Sequence, residues 1–253
     1  FDQSTQQVDS VHKSFAHPTS DFLTLCNVWD QYSILRKESY SSAKKFCSKN
    51  FLNYTALVEI GDMRNQFLEL LSQIGFIKKE RGKWHNFDVK SSKYNIHGNN
   101  DDIVSAVICA GLYPNIARAV KPRVGGIPTL WHKNEQLSFH SSSVNHNKID
   151  LESEWVVFHE KFATRKVFVT ATCLIKPFSL LLFGKSINVL HTERKVVIDD
   201  WIELNIAAQI SVMFRELQKK VAVMLQDMIT NVGENSSNRD NKLIHGIIEL
   251  LSS

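Results

Sequence analysis

Five basic side chains lie in a stretch of the sequence that has no acidic residue between positions 161 and 192. They are Lys161, Arg165, Lys166, Lys176 and Lys185, and Phe162, Phe168 and Phe178 are interleaved with them. Basic side chains bind phosphates, and aromatic rings stack on unpaired bases with about 1–3 kcal/mol each. The stretch therefore favours a surface that binds a polyanion, and the alternative is an ordinary solvated face.

A string of polar residues from His140 to His146 could contact the same ligand. It has no carboxylate at metal-ligand spacing and no Gly-x-Ser-x-Gly elbow, so we expect neither a metal site nor a catalytic serine. Its imidazole and hydroxyl groups can hydrogen-bond to a phosphate, a sugar or a base edge. We expect His140 and Ser142 to make such contacts, and a purely structural turn is the alternative.

The string Phe183-Gly184-Lys185-Ser186 looks like the end of a phosphate-binding loop. The full pattern needs a glycine five residues before the Gly-Lys pair, and Ser179 stands at that position. A helix should follow such a loop, but the next residues, Ile187-Asn188-Val189, are typical of a strand. We therefore predict a turn between two strands.

The elements that position these side chains are predicted to be short strands. Residues 166–173 alternate between two faces, as a half-buried strand does. Further runs of strand composition cover 129–132, 137–140, 154–162, 179–183, 187–190 and 195–202. Five or more short strands within about 80 residues are typical of a small barrel or sandwich.

Helical periodicity marks both sides of this strand-rich region. We predict helices from Ser20 or Asp21 to about Tyr32, over 41–48, over 55–74, and from Asp101 to Ala119 with a bend at Pro114. After the strands, polar residues 231–241 separate an apolar stripe over 206–228 from a final helix over 243–251. The polar residues 1–14 are predicted to be poorly ordered, and 78–100 to be a surface loop or insertion.

Composition limits the class of protein. The chain has 253 residues, 43% apolar and 22% charged, with a net charge of +4, as expected for a soluble globular protein of one large or two modest domains. The four cysteines form no Cys-x-x-Cys pair, so we expect free, buried thiols and predict a cytoplasmic location. No secretory signal is visible, and no apolar run reaches the roughly 20 residues of a membrane span. Because the chain starts with Phe1, we expect a piece of a longer protein.

Six strings, taken in order along the chain, resemble landmarks of the C-terminal region of DEAH/RHA-type RNA helicases. They lie at 20–29, 47–53, 63–67, 106–115, 140–145 and 155–184, so the resemblance covers nearly all of the chain after Phe15. The string at 106–115, Ala-Val-Ile-Cys-Ala-Gly-Leu-Tyr-Pro-Asn, is the most specific. At 140–145 the family has His-Pro-Ser-Ser-Val-Asn, and Ser141 replaces the proline here, which loosens the turn. The tail resembles the subgroup that includes the ribosome-associated initiation helicase.

The resemblance implies an α+β fold, in which a ratchet-like helical domain precedes a small OB-fold barrel and C-terminal helices. The implied bounds are 1–15 for a poorly ordered lead-in, 16–119 for the helical domain, 120–203 for the barrel and 204–253 for helices that pack on it. The parent would be an ATP-dependent RNA helicase whose ATP and Mg²⁺ bind to motor domains upstream. This chain has neither a complete phosphate-binding loop nor an Asp-Glu-Ala-His string, so we expect no catalytic residue, no cofactor and no ATP hydrolysis by the chain alone.

Single-stranded RNA is the implied ligand, running across the junction of the helical domain and the barrel. The predicted contacts are His140, Ser142, Lys161, Arg165, Lys166 and Lys176 in the barrel and Arg64 in the helical domain. The basic side chains would bind phosphates, whereas His140 and Ser142 would contact sugars or base edges. The alternative is a protein-interaction module that docks a ribosomal or activator protein. A continuous basic groove would favour RNA, and a broad apolar patch would favour a protein partner.

Overall fold

The computed structural model describes residues 2–77, 93–190, 195–230 and 238–252 of the chain. They fall into two compact units, Phe1–Asn95 and Ile96–Ser253, and each unit is described by itself. Within the described residues, no helix is both long enough and apolar enough to cross a membrane. Most of the loop predicted for 78–100 lies outside the described residues.

The described part of the first unit is helical, as predicted. It contains α1 (Asp2–Lys13), α2 (Asp21–Glu38), α3 (Tyr40–Lys49) and α4 (Tyr54–Gln73). Ser20, Ser39 and Asn53 precede α2, α3 and α4, and each side chain accepts a hydrogen bond from a backbone N–H of the first turn. The buried core consists of Phe15, Val28, Tyr32, Ala43, Cys47 and Leu57.

The first residues differ from the prediction, since Asp2–Lys13 form helix α1 rather than a poorly ordered lead-in. Val11 packs on the core that includes Phe15, and Nε2 of His12 lies 3.1 Å from the carbonyl oxygen of Asn50. The polar composition of this segment concealed the few apolar side chains that hold it against the rest of the unit.

The apolar stripe predicted over 55–74 is present on α4, but most of it is not buried. Leu57 is buried, whereas Met63, Phe67, Leu70 and Ile74 are each at least 50% exposed. An apolar face of this kind is the feature that the protein-docking alternative would need.

The described part of the second unit begins with helix α5 (Asp101–Leu112). Five strands follow: β1 (Ile116–Val120), β2 (Thr129–His132), β3 (Glu135–Phe139), β4 (Trp155–Ala163) and β5 (Val167–Ile175). Helix α6 (Pro177–Phe183) then leads to β6 (Ile187–Leu190), β7 (Lys195–Ile198) and β8 (Ile202–Leu204). The last elements are α7 (Ala208–Thr230) and α8 (Asn238–Ser252).

The first five strands form a closed barrel in the order β1-β2-β3-β5-β4. The β3–β5 pair is parallel and the other pairs are antiparallel, and this Greek-key arrangement is that of an OB-fold. Buried side chains from all five strands fill the interior, including Ala117, Leu130, Leu137, Val156 and Val169. The predicted α+β fold with a small OB-fold barrel is confirmed.

The C-terminal helices pack on the elements that flank the barrel. Leu217 and Val221 of α7 and Leu251 of α8 belong to a cluster that includes Ala106 of α5 and Leu182 of α6. The side-chain amide of Gln218 on α7 also donates to the carbonyl oxygens of residues 181 and 184, at 2.8 and 2.7 Å. This packing explains why the tail needs an apolar stripe.

Three predicted elements are corrected by the structure. The helix predicted to reach Ala119 ends at Leu112, because the residue before Pro114 adopts an extended conformation, and β1 follows up to Val120. The strand predicted over 179–183 is helix α6, whose first residue is Pro177, a favourable position for proline. Its apolar residues are buried all round, so periodicity could not separate helix from strand. The run 195–202 divides into β7 and β8.

A carboxylate joins the end of α5 to the sheet formed by β6, β7 and β8. The hydroxyl of Tyr113 donates a hydrogen bond to Asp199, which also accepts from the backbone N–H groups of Lys185 at 3.3 Å and Ser186 at 2.7 Å. The Phe183–Ser186 string connects α6 to β6, so a strand follows it as predicted, but a helix rather than a strand precedes it. The amides that a phosphate-binding loop would offer already bind Asp199, so the string does not fit a nucleotide phosphate.

The same contacts set the protonation state of the carboxylate. Burial alone would raise the pKa of Asp199, but the hydrogen bonds from Tyr113, Ser186 and Lys185 outweigh it and lower the pKa from its ordinary value. Burial, together with the hydrogen bond to Asp199, raises the pKa of Tyr113. The pair is thus an ionised carboxylate with a protonated phenol at neutral pH.

Gly184→Ala is expected to lower the free energy of unfolding by about 1–3 kcal/mol, because the added methyl group overpacks the turn. A β-carbon at Gly184 would lie 2.3 Å from Cγ2 of Ile198 and 2.8 Å from the carbonyl oxygen of Leu180. Urea unfolding followed by circular dichroism measures the change. Gly111→Ala in α5 is the control: no neighbouring described atom lies within 4 Å of its β-carbon, and alanine favours a helix by up to about 1 kcal/mol. Equal losses in both variants would contradict the packing argument.

Asp199→Asn is expected to destabilise the chain at neutral pH and to matter less in acid. The pKa of this carboxyl is lower in the folded chain than its ordinary value of 3.8, so its stabilisation is present above that value and is lost as the pH falls through the folded pKa. The difference in unfolding free energy from wild type should be about 1 kcal/mol or more at neutral pH and should shrink below about pH 4. Urea titrations at several pH values measure it. A difference that stays constant into strong acid would disprove the assignment.

Candidate nucleic-acid interface

The turn between β4 and β5 presents two exposed cations. The two strands pair from Trp155↔Ile175 to Ala163↔Val167, so the chain reverses at Thr164–Lys166, where the Thr164 N–H donates to the carbonyl oxygen of Lys166 at 2.9 Å. Arg165 and Lys166 are exposed at this tip. No carboxylate of the described residues forms an ion pair with either side chain. Their charges are available to an external anion.

Three aromatic rings lie beside this turn. Phe162 and Phe168 are cross-strand partners whose rings stack at 5.8 Å with an interplanar angle of 27°. The ring of His140 meets both edge-on, at 5.4 Å from Phe162 and 6.1 Å from Phe168. The side chain of Phe162 is 39% exposed, so part of this aromatic cluster faces solvent. We use the name hairpin-tip surface for His140, Ser142, Phe162, Phe168, Arg165 and Lys166.

Strand pairing places His140 in this cluster. The residue follows β3, whose parallel pairing with β5 brings Phe139 opposite Val169, and the His140 N–H donates to the Val169 carbonyl oxygen at 3.0 Å. Nδ1 of His140 then lies 2.7 Å from Oγ of Ser142. The two predicted contact residues are therefore neighbours, and they are both partly or fully exposed.

The loop that carries them is fixed by buried side chains that the sequence reasoning did not single out. Oγ of Ser143 lies 2.7 Å from Oγ1 of Thr172, and Nδ2 of Asn145 donates to the same hydroxyl at 3.0 Å. All three side chains are buried, whereas Ser141 and Ser142 are exposed. The inward side chains of the string thus anchor the turn, whereas the ligand contacts predicted for its outward ones stay a prediction.

Two of the predicted basic contacts are held by carboxylates. Nζ of Lys161 lies 2.5 Å from Oε2 of Glu135. Glu135 is the first residue of β3, whereas His140 follows the last residue of the same strand. Nζ of Lys176 lies 2.9 Å from Oδ2 of Asp102. Lys176 also follows the far end of β5, roughly 30 Å of extended chain from Lys166. The structure thus brings His140, Ser142, Arg165 and Lys166 together and does not bring Lys176 to them.

Arg64 belongs to the first unit, where it lies on α4. Its guanidinium group stacks over the ring of Trp29 on α2, 5.0 Å from the ring centroid, and Gly61 lets α4 come this close to the indole. The residue is exposed, so its N–H groups can still reach an anion. The predicted path of RNA across the two units stays a prediction.

Phe178 does not contribute to a binding surface. Its ring stacks on Phe214 at 5.8 Å with an interplanar angle of 10°, within the contact between α6 and α7. Of the three phenylalanines interleaved with the basic residues, only Phe162 and Phe168 lie at the hairpin tip.

The β1–β2 loop is a further cationic feature that the sequence reasoning missed. Lys121 and Arg123 lie in this loop and are exposed, and the side chain of Val124 is 96% exposed. Lys121 pairs with Asp150 at 2.8 Å, whereas no described carboxylate pairs with Arg123. OB-folds commonly bind ligands with this loop and the β4–β5 loop. Pro122, Gly125 and Gly126 mark a turn around Arg123, and this pattern could have indicated an exposed basic loop.

No cluster of three or more His, Cys, Asp or Glu side chains within the described ranges could hold a metal ion. The acidic groups near the barrel instead occur in ion pairs with basic ones, as in Arg118 with Glu154 at 3.0 Å. The chemistry that the arrangement offers is therefore hydrogen bonding, charge and ring stacking.

Thr172→Val is expected to lower the free energy of unfolding by about 1–3 kcal/mol, since it keeps the shape but removes the hydroxyl that Ser143 and Asn145 share. Chemical denaturation measures the change, and amide hydrogen exchange at 143–145 should accelerate because the loop loses its anchor. Ser141→Ala, an exposed position in the same loop, is the control and should change stability by less than about 0.5 kcal/mol. A Thr172→Val variant with unchanged stability and exchange would show that the network does not hold the loop.

Comparison with known proteins agrees with this geometry. Residues 104–187, which contain the barrel, match the family described as oligonucleotide/oligosaccharide-binding (OB)-fold. Residues 194–253 match the family described as the C-terminal domain in RNA helicases. The first match covers the barrel strands β1 to β5, and the second covers the C-terminal helices α7 and α8.

Curated relatives match nearly the whole chain. The DExH-box ATP-dependent RNA helicase DExH4, chloroplastic, of Arabidopsis thaliana is 33% identical over 92% of this chain and 17% of its own length. The ATP-dependent RNA helicase dhx29 of Xenopus laevis is 30% identical, over 98% of this chain and 18% of its own length. The ATP-dependent DNA/RNA helicase DHX36 of Homo sapiens is 28% identical, over 97% of this chain and 25% of its own length.

This chain accordingly spans between 17% and 25% of the length of those relatives. Both units take part in the similarity, because the matched region extends over more than nine-tenths of the chain in each case. The chain belongs to the DEAH/RHA family of RNA helicases and is a C-terminal region of such a protein.

Proposed function

We propose that this region binds single-stranded RNA at the hairpin-tip surface and couples it to ATP-driven motor domains elsewhere in the parent protein. The observation that carries the proposal is the pairing of two cations, Arg165 and Lys166, with a partly exposed aromatic cluster. Neither cation has a carboxylate partner among the described residues. Single-stranded nucleic acid is the ligand class that uses both features at once.

Each part of the surface has a distinct task in this proposal. The guanidinium group of Arg165 and the ammonium group of Lys166 bind successive phosphates. The exposed face of Phe162 stacks on one unpaired base, and the stack with Phe168 and the edge contact with His140 keep the ring in place. The hydroxyl of Ser142 and the ring of His140 hydrogen-bond to the sugar or to a base edge. A base-paired strand does not offer the face that Phe162 needs.

The size of the surface sets the strength of binding. Two phosphate contacts release few counterions, so log K should fall with log salt by about 0.7 for each contact with a single strand. One stacked base adds about 1–3 kcal/mol. The region alone should therefore bind weakly, which fits an accessory element that holds RNA while other domains supply the motor.

ATP and Mg²⁺ belong, in this proposal, to the motor domains of the parent. The relatives named above are ATP-dependent helicases, of which this chain spans only a part. Within the described residues the Phe183–Ser186 turn does not fit a nucleotide, because Asp199 occupies its amides. No step of ATP hydrolysis is assigned to this chain.

We also propose a cytoplasmic location for the parent. None of the four cysteines, all within the described ranges, forms a disulfide, and Cys47, Cys109 and Cys173 are buried, as thiols in a reducing compartment commonly are. The name of one relative, from Arabidopsis thaliana, includes the word chloroplastic. The thiols fit any reducing compartment, so fractionation of cells that express the parent protein is the direct measurement.

Changing Arg165 and Lys166 together to glutamate is expected to reduce the affinity for a 12-nucleotide single-stranded RNA by at least about tenfold at low salt. The reason is the loss of two phosphate contacts and the repulsion from two new carboxylates, so the salt slope should also fall by about 1.4. Fluorescence anisotropy over a range of KCl concentrations measures both quantities. The fold should persist, because both residues are exposed in a turn.

Lys185→Glu combined with Lys220→Glu is the matched control. It changes the net charge by the same amount, and both exposed side chains belong to other elements, Lys185 to the α6–β6 connection and Lys220 to α7. Affinity in this variant should stay within about threefold of wild type, because screening weakens charges that lie beyond roughly 10 Å. Equal losses in both variants would show a general charge effect, and no loss in the Arg165 and Lys166 variant would remove the hairpin tip as the site.

A further inference from the structure

The exposed face of α3 carries only lysine and serine side chains after the first residue of the helix. Ala43 and Cys47 are buried, and the opposite side of the helix is exposed. The exposed positions that follow Tyr40 are Ser41, Lys44, Lys45, Ser48 and Lys49, which we name the α3 lysine face. The ten residues of α3 include no acidic residue. Every side chain on this face can donate a hydrogen bond to an anion.

The positive charge of this face is not balanced by its surroundings. Residues 36–49 contain five basic residues and a single acidic one, Glu38. No carboxylate of the described residues forms an ion pair with Lys44, Lys45 or Lys49. Lys45 and Lys49 are also four residues apart on the helix, and like charges at this spacing cost about 0.2–0.5 kcal/mol. The arrangement lowers the stability of α3 in the absence of an anion.

The helix dipole accounts for only part of this charge. Nε2 of His12 lies 3.1 Å from the carbonyl oxygen of Asn50, so the C-terminal ends of α1 and α3 meet. Basic side chains in a last turn offset the negative end of a helix, which explains Lys13 and Lys49. Lys44 and Lys45 precede the last turn, where the effect of the dipole has fallen off. The helix dipole therefore does not account for these two lysines.

We propose that the α3 lysine face binds the phosphate backbone of double-helical RNA. Lysine ammonium and serine hydroxyl groups are frequent phosphate contacts and carry no base preference. The helical rise of about 1.5 Å per residue puts Lys45 and Lys49 about 6 Å apart, close to the axial spacing of two nucleotides on one strand. Tyr40, the first residue of the helix, lies against the guanidinium group of Arg36 at 5.7 Å and meets the ring of Tyr54 edge-on at 5.3 Å. The α3 lysine face itself includes no aromatic side chain, so it contacts backbone and stacks no base.

This site is separate from the one proposed on the barrel. It lies in the first unit and uses none of the residues of the hairpin-tip surface. It rests on the proposed function only in taking RNA as the polyanion. The two sites differ in the form of RNA that they bind: the barrel takes an unpaired base, whereas α3 takes the phosphates of a double helix.

The test measures binding of the whole chain to a blunt 20-base-pair RNA duplex, which offers phosphates but no unpaired base. Changing Lys44, Lys45 and Lys49 together to glutamine should lower the affinity for this duplex by at least about tenfold at low salt. The salt slope should fall by about 0.9 for each phosphate contact that is lost. Glutamine has nearly the helix propensity of lysine, so circular dichroism should show an unchanged helix content.

A matched variant, with Lys185, Lys219 and Lys220 changed to glutamine, removes the same charge from other exposed positions. It should keep duplex affinity within about threefold of wild type. Equal weakening by both variants, or no weakening by the α3 variant, would overturn the proposal, as would a wild-type chain that does not bind the duplex. An α3-dependent interaction with poly-glutamate but not with the duplex would assign the face to an acidic protein instead.

The Arg165 and Lys166 variant separates this proposal from the one on the barrel. It should lose affinity for single-stranded RNA and keep its affinity for the duplex. The Arg165 and Lys166 variant could lose single-strand binding while the α3 variant binds the duplex as wild type does. That result would support the barrel proposal and refute this one. The opposite pattern would refute the barrel proposal alone.

Discussion

The hydrogen bonds that tie the loop after β3 to β5 hold the hairpin-tip surface in place. The Thr172 hydroxyl is shared by Ser143 and Asn145 in a buried position, and the His140 N–H closes onto the carbonyl oxygen of Val169. A buried polar group that loses its partner costs about 1–3 kcal/mol, so the loop has one low-energy position. That position puts the ring of His140 against two phenylalanines. Without it, the ring of His140 would not be held against Phe162 and Phe168.

The two ends of β5 serve different purposes. At its start, the turn with β4 leaves Arg165 and Lys166 without a described carboxylate partner. At its end, Lys176 pairs with Asp102, and Sγ of Cys173 lies 3.3 Å from Oγ of Ser105, so this end is bonded to α5. The helices that pack around α5 and α6 then enclose that side of the barrel. One end of β5 is thus packed against helices, and the other end leads from an exposed basic turn.

The sequence was sufficient for the architecture because strong local signals agreed with the tertiary contacts. Ser20 and Asn53 mark helix starts by their side chains, and the alternation over 166–173 marks β5. It failed where burial is uniform, as in α6, and where a proline changes the backbone without changing the apolar pattern, as at Pro114. It also failed for α1, whose few contacts with the rest of its unit are set by tertiary structure.

The candidate site was only partly predictable from charge. A count of lysines and arginines treats Lys176 and Lys166 as equal, although one pairs with Asp102 and the other has no described partner. Pairing of this kind depends on residues far apart in the chain, such as Glu135 with Lys161, and periodicity carries no information about it. The role of Thr172 was hidden for the same reason. The lysines of α3 were visible in the sequence, but their common exposure depended on how Ala43 and Cys47 pack.

The division of the loop at 141–145 into outward and inward side chains has an evolutionary consequence. Ser143 and Asn145 are buried and bonded, whereas Ser141 and Ser142 project into solvent. Substitutions at the outward positions change the surface of the barrel at little cost in folding, whereas substitutions at the inward ones remove buried hydrogen bonds. The surface proposed to bind RNA can therefore change through one or two codons, on a scaffold that stays the same.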